Sequence, residues 1–179
     1  MNILITGSDG PNVNKKVERL MNEDLIKERG KSLLNVGTCN IHILHNAFLK
    51  GLDEVGHDAS DLILLIHQFF EDWPSRKEDF QTVQQETGVS THFFIKHISS
   101  RWLTLEPAAH RLIEQWDAVN KYFLEFIPKK RKSLEKTHAY SKIVKLLNNP
   151  TMLAEIHFTI SSARIFTKFT GILFNILFK

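Results

Sequence analysis

The chain has 179 residues, of which 42% are hydrophobic and 24% are charged, an ordinary composition for a soluble globular protein. Its formal net charge of +3 is too small to indicate a nucleic-acid partner unless the basic residues are concentrated in one patch. The single cysteine, Cys39, excludes an intramolecular disulfide, so we expect a reducing compartment.

The two ends of the chain suggest an intracellular protein. The first residues lack a basic region leading into an apolar core, so we expect no signal peptide. The C-terminal stretch is the most apolar part of the chain, but Glu155, His157, Arg164 and Lys168 interrupt it. We therefore interpret it as a buried helix and expect no membrane contact.

The first predicted elements form a strand, a helix and a second strand. Ile3, Leu4 and Ile5 suit a buried strand, and an amphipathic helix follows over residues 11–29, ended by Gly30. Residues 32–37 form a second short apolar run. A strand, helix and strand at this spacing predict a parallel pair.

Helices are predicted for most of the remainder. Thr38 is a candidate N-cap for the next helix, and a helix with apolar residues at three- and four-residue steps ends before Pro74. Ser75 and Glu78 match a capping box for the helix after it. Residues 92–98 are ambiguous between a strand and an extended connector.

The second half of the chain predicts three more helices. A long helix begins near Leu105 and continues to Pro128, after which the basic residues 129–132 are predicted as a loop. Another helix covers residues 140–147, and Thr151 caps the last one.

Two groups near the N-terminus are candidates for chemistry. Asp9 follows the first strand, where α/β folds usually bind ligands, although residue chemistry alone favours a role as cap of the following helix. Cys39 and His42 share a helical face, but two residues do not complete a zinc site, and no third group orients them as a nucleophile pair. On chemistry alone these two favour a structural role.

Two further groups are candidates for phosphate or base contacts. The basic run could bind phosphate or act as an import signal, or it could simply be solvated, and it consists of Lys129, Lys130, Arg131 and Lys132. Arg101 and Trp102 could offer charge and stacking to a nucleotide, whereas a lone tryptophan is more often part of a core.

Read together, three segments resemble a known family. In order they are SDGPNVN, GTCNIHILHNAF and SSRWLTLEPAAHRLIEQWDAVNKYFLEFIP. Their order resembles the RNase H-like catalytic domain of hAT-superfamily transposases and of host proteins derived from them. The resemblance assigns Asp9 to a catalytic and metal-binding position and makes Cys39 with His42, and Arg101 with Trp102, the supporting family motifs.

The resemblance implies Mg²⁺-dependent strand transfer in an intact family member, which holds its metals with three acidic residues. Asp9 is the only one of the three that this sequence supplies. We therefore expect a vestigial site, no bound cofactor and no catalytic activity.

The predicted fold class is α/β and α-rich, with a partial RNase H-like sheet carrying a large all-helical insertion. We predict an RNase H-like region over residues 1–57, built as strand, helix, strand and helix, and an insertion-like region over residues 58–179. The chain is interpreted as a fragment of a transposase-derived protein.

The predicted function is nucleic-acid association without intact catalysis, with weak and non-specific DNA binding through Lys129, Lys130, Arg131 and Lys132. A nuclear location is favoured over a cytoplasmic one. The alternative is a helical protein-interaction module, with a partner protein or a second copy contacting the apolar C-terminal helix. A continuous positive surface that also includes Lys96, Arg101 and Arg111 would favour the first function.

Overall fold

The computed structural model describes the backbone of residues 5–8, 12–32, 34–38, 40–55, 57–99 and 102–177, and the side chains of residues 13–32, 43–55, 57–99 and 103–169. The chain separates into two compact units, residues 1–47 and residues 48–179. The predicted division between residues 57 and 58 stays a prediction.

The smaller unit contains two short strands and a helix between them. β1 (Ile5–Ser8) and β2 (Leu34–Thr38) pair in parallel, with Ile5 opposite Leu34, and the connecting helix is α1 (Asn12–Arg29). Gly30 ends this helix with φ +71°, a left-handed conformation that residues with a side chain rarely adopt. α2 (Asn40–Val55) follows and continues into the larger unit.

The predicted α/β fold class is wrong. Helices make up most of the described residues, and β1 and β2 pair only with each other in that part of the chain. Within the described residues the sheet has two strands, of four and five residues, which is too few for an RNase H-like sheet. Short apolar runs predict strands locally, but the periodic helices that follow them determine the fold.

The larger unit is built from helices. After the shared α2 come α3 (His57–Glu71), α4 (Pro74–Thr87), α5 (Leu105–Glu114), α6 (Trp116–Lys121), a π-helix (Tyr122–Phe126), α7 (Ile127–Lys130), α8 (His138–Leu147) and α9 (Met152–Leu177). Two 3₁₀ turns, Trp102–Thr104 and Leu134–Lys136, precede α5 and α8.

Several local predictions need correction. Thr38 is the last residue of β2, so it does not cap α2. α4 begins at Pro74 and has Trp73 at its N-cap, so Ser75 and Glu78 lie within the helix and form no capping box. Residues 92–97 form a connector without regular secondary structure.

The long helix predicted from Leu105 to Pro128 is interrupted. α5 ends at Glu114, and a π-helix separates α6 from α7. Pro128 lies inside α7 near its start, where the missing N–H of proline is tolerated, and so it does not end the helix. The continuous apolar periodicity did not reveal these interruptions because each segment keeps its apolar face toward the same core.

An aromatic cluster forms the core of the larger unit. Phe70 of α3 lies 4.9 Å from Phe80 of α4, and Phe69 lies 5.0 Å from Phe123 of the π-helix, measured between ring centroids. Tyr122 lies 5.5 Å from Phe80 and is fully buried. Aromatic pairs at such distances hold their helices in fixed relative positions.

A buried amide pair joins α4 to the start of α6. Gln84 Nε2 donates to Gln115 Oε1 at 2.7 Å, and Gln115 Nε2 donates to the carbonyl of Ser90 at 2.9 Å. Both glutamines are fully buried. The pair therefore fixes the connector that follows α4, because carbonyl groups of the connector accept hydrogen bonds from the two side-chain amides.

We expect Gln115→Leu to lower the free energy of unfolding by about 1–3 kcal/mol, since it leaves the amide of Gln84 and the carbonyl of Ser90 short of a buried partner. Urea unfolding followed by circular dichroism measures this loss. The exposed Gln85→Leu on α4 is the matched control, and equal midpoints for the two variants would contradict the prediction.

A second prediction concerns His97, which is 4% exposed and whose Nδ1 lies 2.8 Å from Thr104 Oγ1. Burial lowers the pKa of His97 below its ordinary value of 6.5. At a pH between the lowered pKa and 6.5, His97 therefore binds a proton in the unfolded chain but not in the folded chain. The free energy of unfolding should fall as the pH drops below 6.5 and stop falling below the lowered pKa.

The variant His97→Asn can keep the hydrogen bond to Thr104 but cannot titrate. We expect its urea midpoint to fall less steeply between neutral and mildly acidic pH than that of the wild type. Parallel curves for the two proteins would show that His97 contributes nothing to the pH dependence.

Candidate nucleic-acid interface

The structure leaves most of the predicted family motifs untested. Asp9, Cys39 and Arg101 lie outside the described residues. His42 lies in α2 and Trp102 begins a 3₁₀ turn, but their side chains are also outside the described part. The roles that the resemblance assigns to these five residues stay predictions.

No cluster of three His, Cys, Asp or Glu side chains that could hold a metal ion occurs among the residues that the structure describes. Asp9 is not among them. A magnesium site at Asp9 therefore remains untested in either direction.

The predicted basic run lies at the end of α7. Lys129 and Lys130 are the last helical residues, and Arg131 and Lys132 follow in a turn, so only the second half of the run is a loop. All four side chains are exposed.

Two of these four cations are already paired with carboxylates. Arg131 makes a bidentate ion pair with Asp79 of α4, with Nε–Oδ2 at 2.7 Å and Nη2–Oδ1 at 3.0 Å. Lys129 Nζ lies 3.4 Å from Glu125, one helical turn earlier. Arg131 therefore anchors the turn to α4, and the pairing raises the pKa of its guanidinium.

The other two lysines belong to a larger group that the sequence prediction missed. We define the lysine patch as five exposed lysines that make no ion pair within the described residues: Lys130, Lys132, Lys136, Lys142 and Lys145. The 3₁₀ turn that contains Lys136 contacts both α7 and α8, so these elements are neighbours in the fold.

Two hydrogen bonds orient α8, the helix that carries Lys142 and Lys145 of the lysine patch. Thr137 caps the helix, its Oγ1 accepting from the backbone N–H of Tyr140 at 3.3 Å. The buried Tyr140 hydroxyl donates to the carbonyl of Phe123 at 3.0 Å. Tyr140, Ile143 and Leu147 are buried. Lys142 and Lys145, three residues apart, consequently lie on the solvent side of α8.

The charge of this region is strongly one-sided. Residues 126–154 contain seven Lys or Arg residues and one carboxylate, Glu135. The whole chain carries only +3, so the remainder is net acidic. This gap in the carboxylates was the sequence signal that could have revealed Lys136, Lys142 and Lys145.

The other predicted cations do not extend the patch. Lys96 Nζ lies 2.7 Å from Glu71 Oε1, and this hydrogen bond lowers the pKa of Glu71. Arg111 donates to Glu114 at 2.9 Å and to the carbonyl of Phe93 at 2.6 Å. Lys96 and Arg111 are both committed to partners within the chain, so neither adds a free cation to the patch. Arg101 lies outside the described residues, so the continuous surface that would favour nucleic-acid association is not shown.

A groove lies against the π-helix. Its volume is about 620 Å³, and its lining includes Trp116, Asn120, Leu124 and Leu153. A smaller hollow of about 150 Å³ includes Lys129 and Lys130 in its lining. The lining of the groove carries two carboxylates, Asp117 and Glu125, and one cation, Lys121, so it does not favour an anionic ligand. Lys121 and Glu125 also line the smaller hollow.

The solvent side of α9 exposes large apolar side chains among polar residues such as Ser161 and Lys168. Phe158 is 49% exposed, Ile165 57% and Phe169 55%. These positions follow i, i+7 and i+11 spacing and lie on one face, which we call the α9 stripe. The opposite face buries Met152, Ile156 and Ala163 in the core, among others. The final residues, which the sequence predicted to be apolar all round, have no described side chains.

None of the described helices is long and apolar enough to cross a membrane. Comparison with protein-family models, with curated proteins and with solved structures finds no match for this chain.

Proposed function

We propose that the chain is a nucleic-acid-associated protein without strand-cleaving activity, and that it contacts the phosphate backbone through the lysine patch. The observation that supports this proposal is the set of five exposed lysines that have no carboxylate partner in the described structure. The pairing of Lys96 and Arg111 elsewhere limits the proposed surface to residues 130–145.

The chemistry of the patch favours phosphate over base contacts. A lysine ammonium is a compact point charge on a flexible stem, and it lacks the planar fork with which arginine reads guanine. The one arginine beside the patch, Arg131, is held by Asp79. Binding should therefore be weak and independent of sequence, with a dissociation constant of about 10⁻⁴ to 10⁻⁶ M at physiological salt.

The remaining parts of the proposal rest on the sequence. The lack of catalysis follows from Asp9 being the only candidate among the three acidic residues that the transposase resemblance requires. A transposase-derived origin is supported by the order of the motifs alone, and a nuclear location by the basic run alone.

We expect the combined change Lys132→Gln, Lys142→Gln and Lys145→Gln to weaken DNA binding. Because each lost phosphate contact releases about 0.7 to 0.9 fewer counterions, the slope of log affinity against log salt should become shallower by about 2 to 3. Fluorescence anisotropy with a labelled DNA duplex at several salt concentrations measures both quantities.

The matched control removes the same charge from exposed lysines elsewhere, by Lys15→Gln, Lys16→Gln and Lys50→Gln. We expect the control to keep the wild-type slope. If both triple variants lose the same affinity, binding depends on total charge and the patch is not the interface.

A second candidate function is association between copies, and the α9 stripe favours it. An antiparallel pair of α9 helices would bury the same stripe from both copies, as a twofold interface requires. Arg164, beside the stripe, lies 3.3 Å from Glu106 of its own chain, so pairing would not bury an unpaired guanidinium there.

We expect the wild-type chain to gain mass with concentration in light scattering and Ile165→Glu to remain monomeric, because a buried unpaired carboxylate would oppose the contact. The exposed His157→Glu, on the same helix but about 100° round the axis from Phe158, is the control. A wild-type protein that stays monomeric at high concentration would exclude this candidate while leaving the nucleic-acid proposal intact.

A further inference from the structure

Ser133 follows four consecutive cations and lies within the lysine patch. Arg131 and Lys132 precede it directly, and Lys136 follows three residues later. Its side chain is exposed, and its hydroxyl makes no hydrogen bond within the described part of the chain. Ser133 is therefore a free nucleophilic hydroxyl in strongly basic surroundings.

We propose that Ser133 is a phosphorylation site for a serine/threonine kinase that binds basic residues before the acceptor, and that the phosphate releases the lysine patch from nucleic acid. The second half of this proposal rests on the proposed function. The first half depends only on the accessibility and the sequence of the turn.

The turn can open at low cost. Between α7 and α8 its backbone is held by Leu134 N–H donating to the carbonyl of Arg131 at 2.8 Å and by Thr137 N–H donating to that of Leu134 at 3.0 Å. Two side chains add restraints: Thr137 Oγ1 donates to the carbonyl of Leu134 at 2.7 Å, and Arg131 pairs with Asp79. Segments with few buried contacts open locally far more often than the whole protein unfolds. An extended conformation that fits a kinase groove is thus accessible.

Ser141 shows what makes Ser133 distinct. It is also exposed, but it lies inside α8 and its Oγ donates to the carbonyl of Thr137 at 3.3 Å. No lysine or arginine occupies the three positions before it. Ser141 is therefore an exposed serine close in sequence whose hydroxyl is hydrogen-bonded inside a helix and which no basic residue directly precedes.

The transfer is a phosphoryl transfer with ATP as the co-substrate. The Oγ of Ser133 forms a bond to the γ-phosphorus as the bond from that phosphorus to the β,γ-bridging oxygen breaks. The hydroxyl proton passes to the carboxylate base of the kinase, and ADP leaves with the electron pair of the broken bond.

The added phosphate would act directly on the patch. It carries a charge of about −1.5 to −2 at neutral pH and can accept charge-assisted hydrogen bonds from nearby cations. Ser133 precedes the 3₁₀ turn Leu134–Lys136, where side chains three residues apart lie on one face, so Lys136 is within reach. Lysines engaged by this phosphate are no longer available to a nucleic-acid backbone.

The test begins with the full chain, ATP, Mg²⁺ and the catalytic subunit of the cyclic-AMP-dependent protein kinase, which selects basic residues before its acceptor. Peptide mass spectrometry should locate the phosphate on Ser133. Ser133→Ala should lose the incorporation, and Ser141→Ala should keep it. Asp79→Asn, which weakens the restraint on Arg131, should raise the initial rate of incorporation.

The phosphorylated chain is then compared with the unmodified chain in the DNA-binding measurement. Because the loss of one phosphate contact changes affinity steeply at low salt, we expect binding to weaken roughly tenfold at about 50 mM salt. Ser133→Glu should weaken it in the same direction and Ser133→Ala should not.

The outcomes separate the two proposals. Absence of phosphate on Ser133 of the folded wild-type chain overturns the modification site, whatever the chain binds. Phosphate on Ser133 with unchanged DNA affinity overturns the regulation. If the unmodified chain binds no DNA, the proposed function and its regulation fail together, while the location of the phosphate still decides the modification site.

Discussion

The contact of the aromatic cluster with the π-helix is the constraint on which the larger unit depends. Tyr122 and Phe123 bring the rings of α3 and α4 together with the segment that leads to α7. The carbonyl of Phe123 also accepts from the Tyr140 hydroxyl, which fixes α8. The solvent face of α8 is thus a consequence of core packing, and the lysines on that face need no contacts of their own to be presented.

The surrounding ion pairs determine which cations remain available. Carboxylates at positions 71, 79, 114 and 125 hold Lys96, Arg131, Arg111 and Lys129. The pairs of Arg111 and Arg131 are partly buried, whereas those of Lys96 and Lys129 are exposed and contribute little to stability. The four pairs affect the distribution of charge, because they leave a cationic surface concentrated on residues 130–145 of a chain whose net charge is small.

Helical periodicity predicted much of the larger unit, but not its breaks. The α3 helix ends before Pro74 as the sequence indicated, and Thr151 directly precedes α9. Leu105, Leu112, Val119 and Phe123 are buried as their spacing suggests, yet α5, α6 and the π-helix are separate segments. The apolar pattern carries no sign of the change from α to π geometry, because Tyr122 and Phe123 of the π-helix are buried like the apolar residues of α5 and α6.

The fold class could not be predicted in this way. The runs around Ile5 and Leu34 resemble strands of a buried sheet, but a sheet needs partner strands distant in sequence, and local propensity does not report those. The basic run illustrates the same limit for the site. The sequence prediction included Arg131 because it adjoins three lysines, but Arg131 forms an ion pair with Asp79, 52 residues away. Some of the unpaired cations lie instead on α8.

The π-helix also decides where the chain can lose a residue without consequence. Its hydrogen bonds run from residue i to i+5 and not to i+4, so its turn holds one residue more than an α-helical turn. Loss of one residue from Tyr122–Phe126 is therefore absorbed by a return to α-helical geometry, and the helices on either side keep their faces. The same loss within α5, which holds no extra residue, would rotate the following segment by about 100° about the helix axis. A homologue shortened by one residue in the π-helix would therefore still display its cations in the same direction.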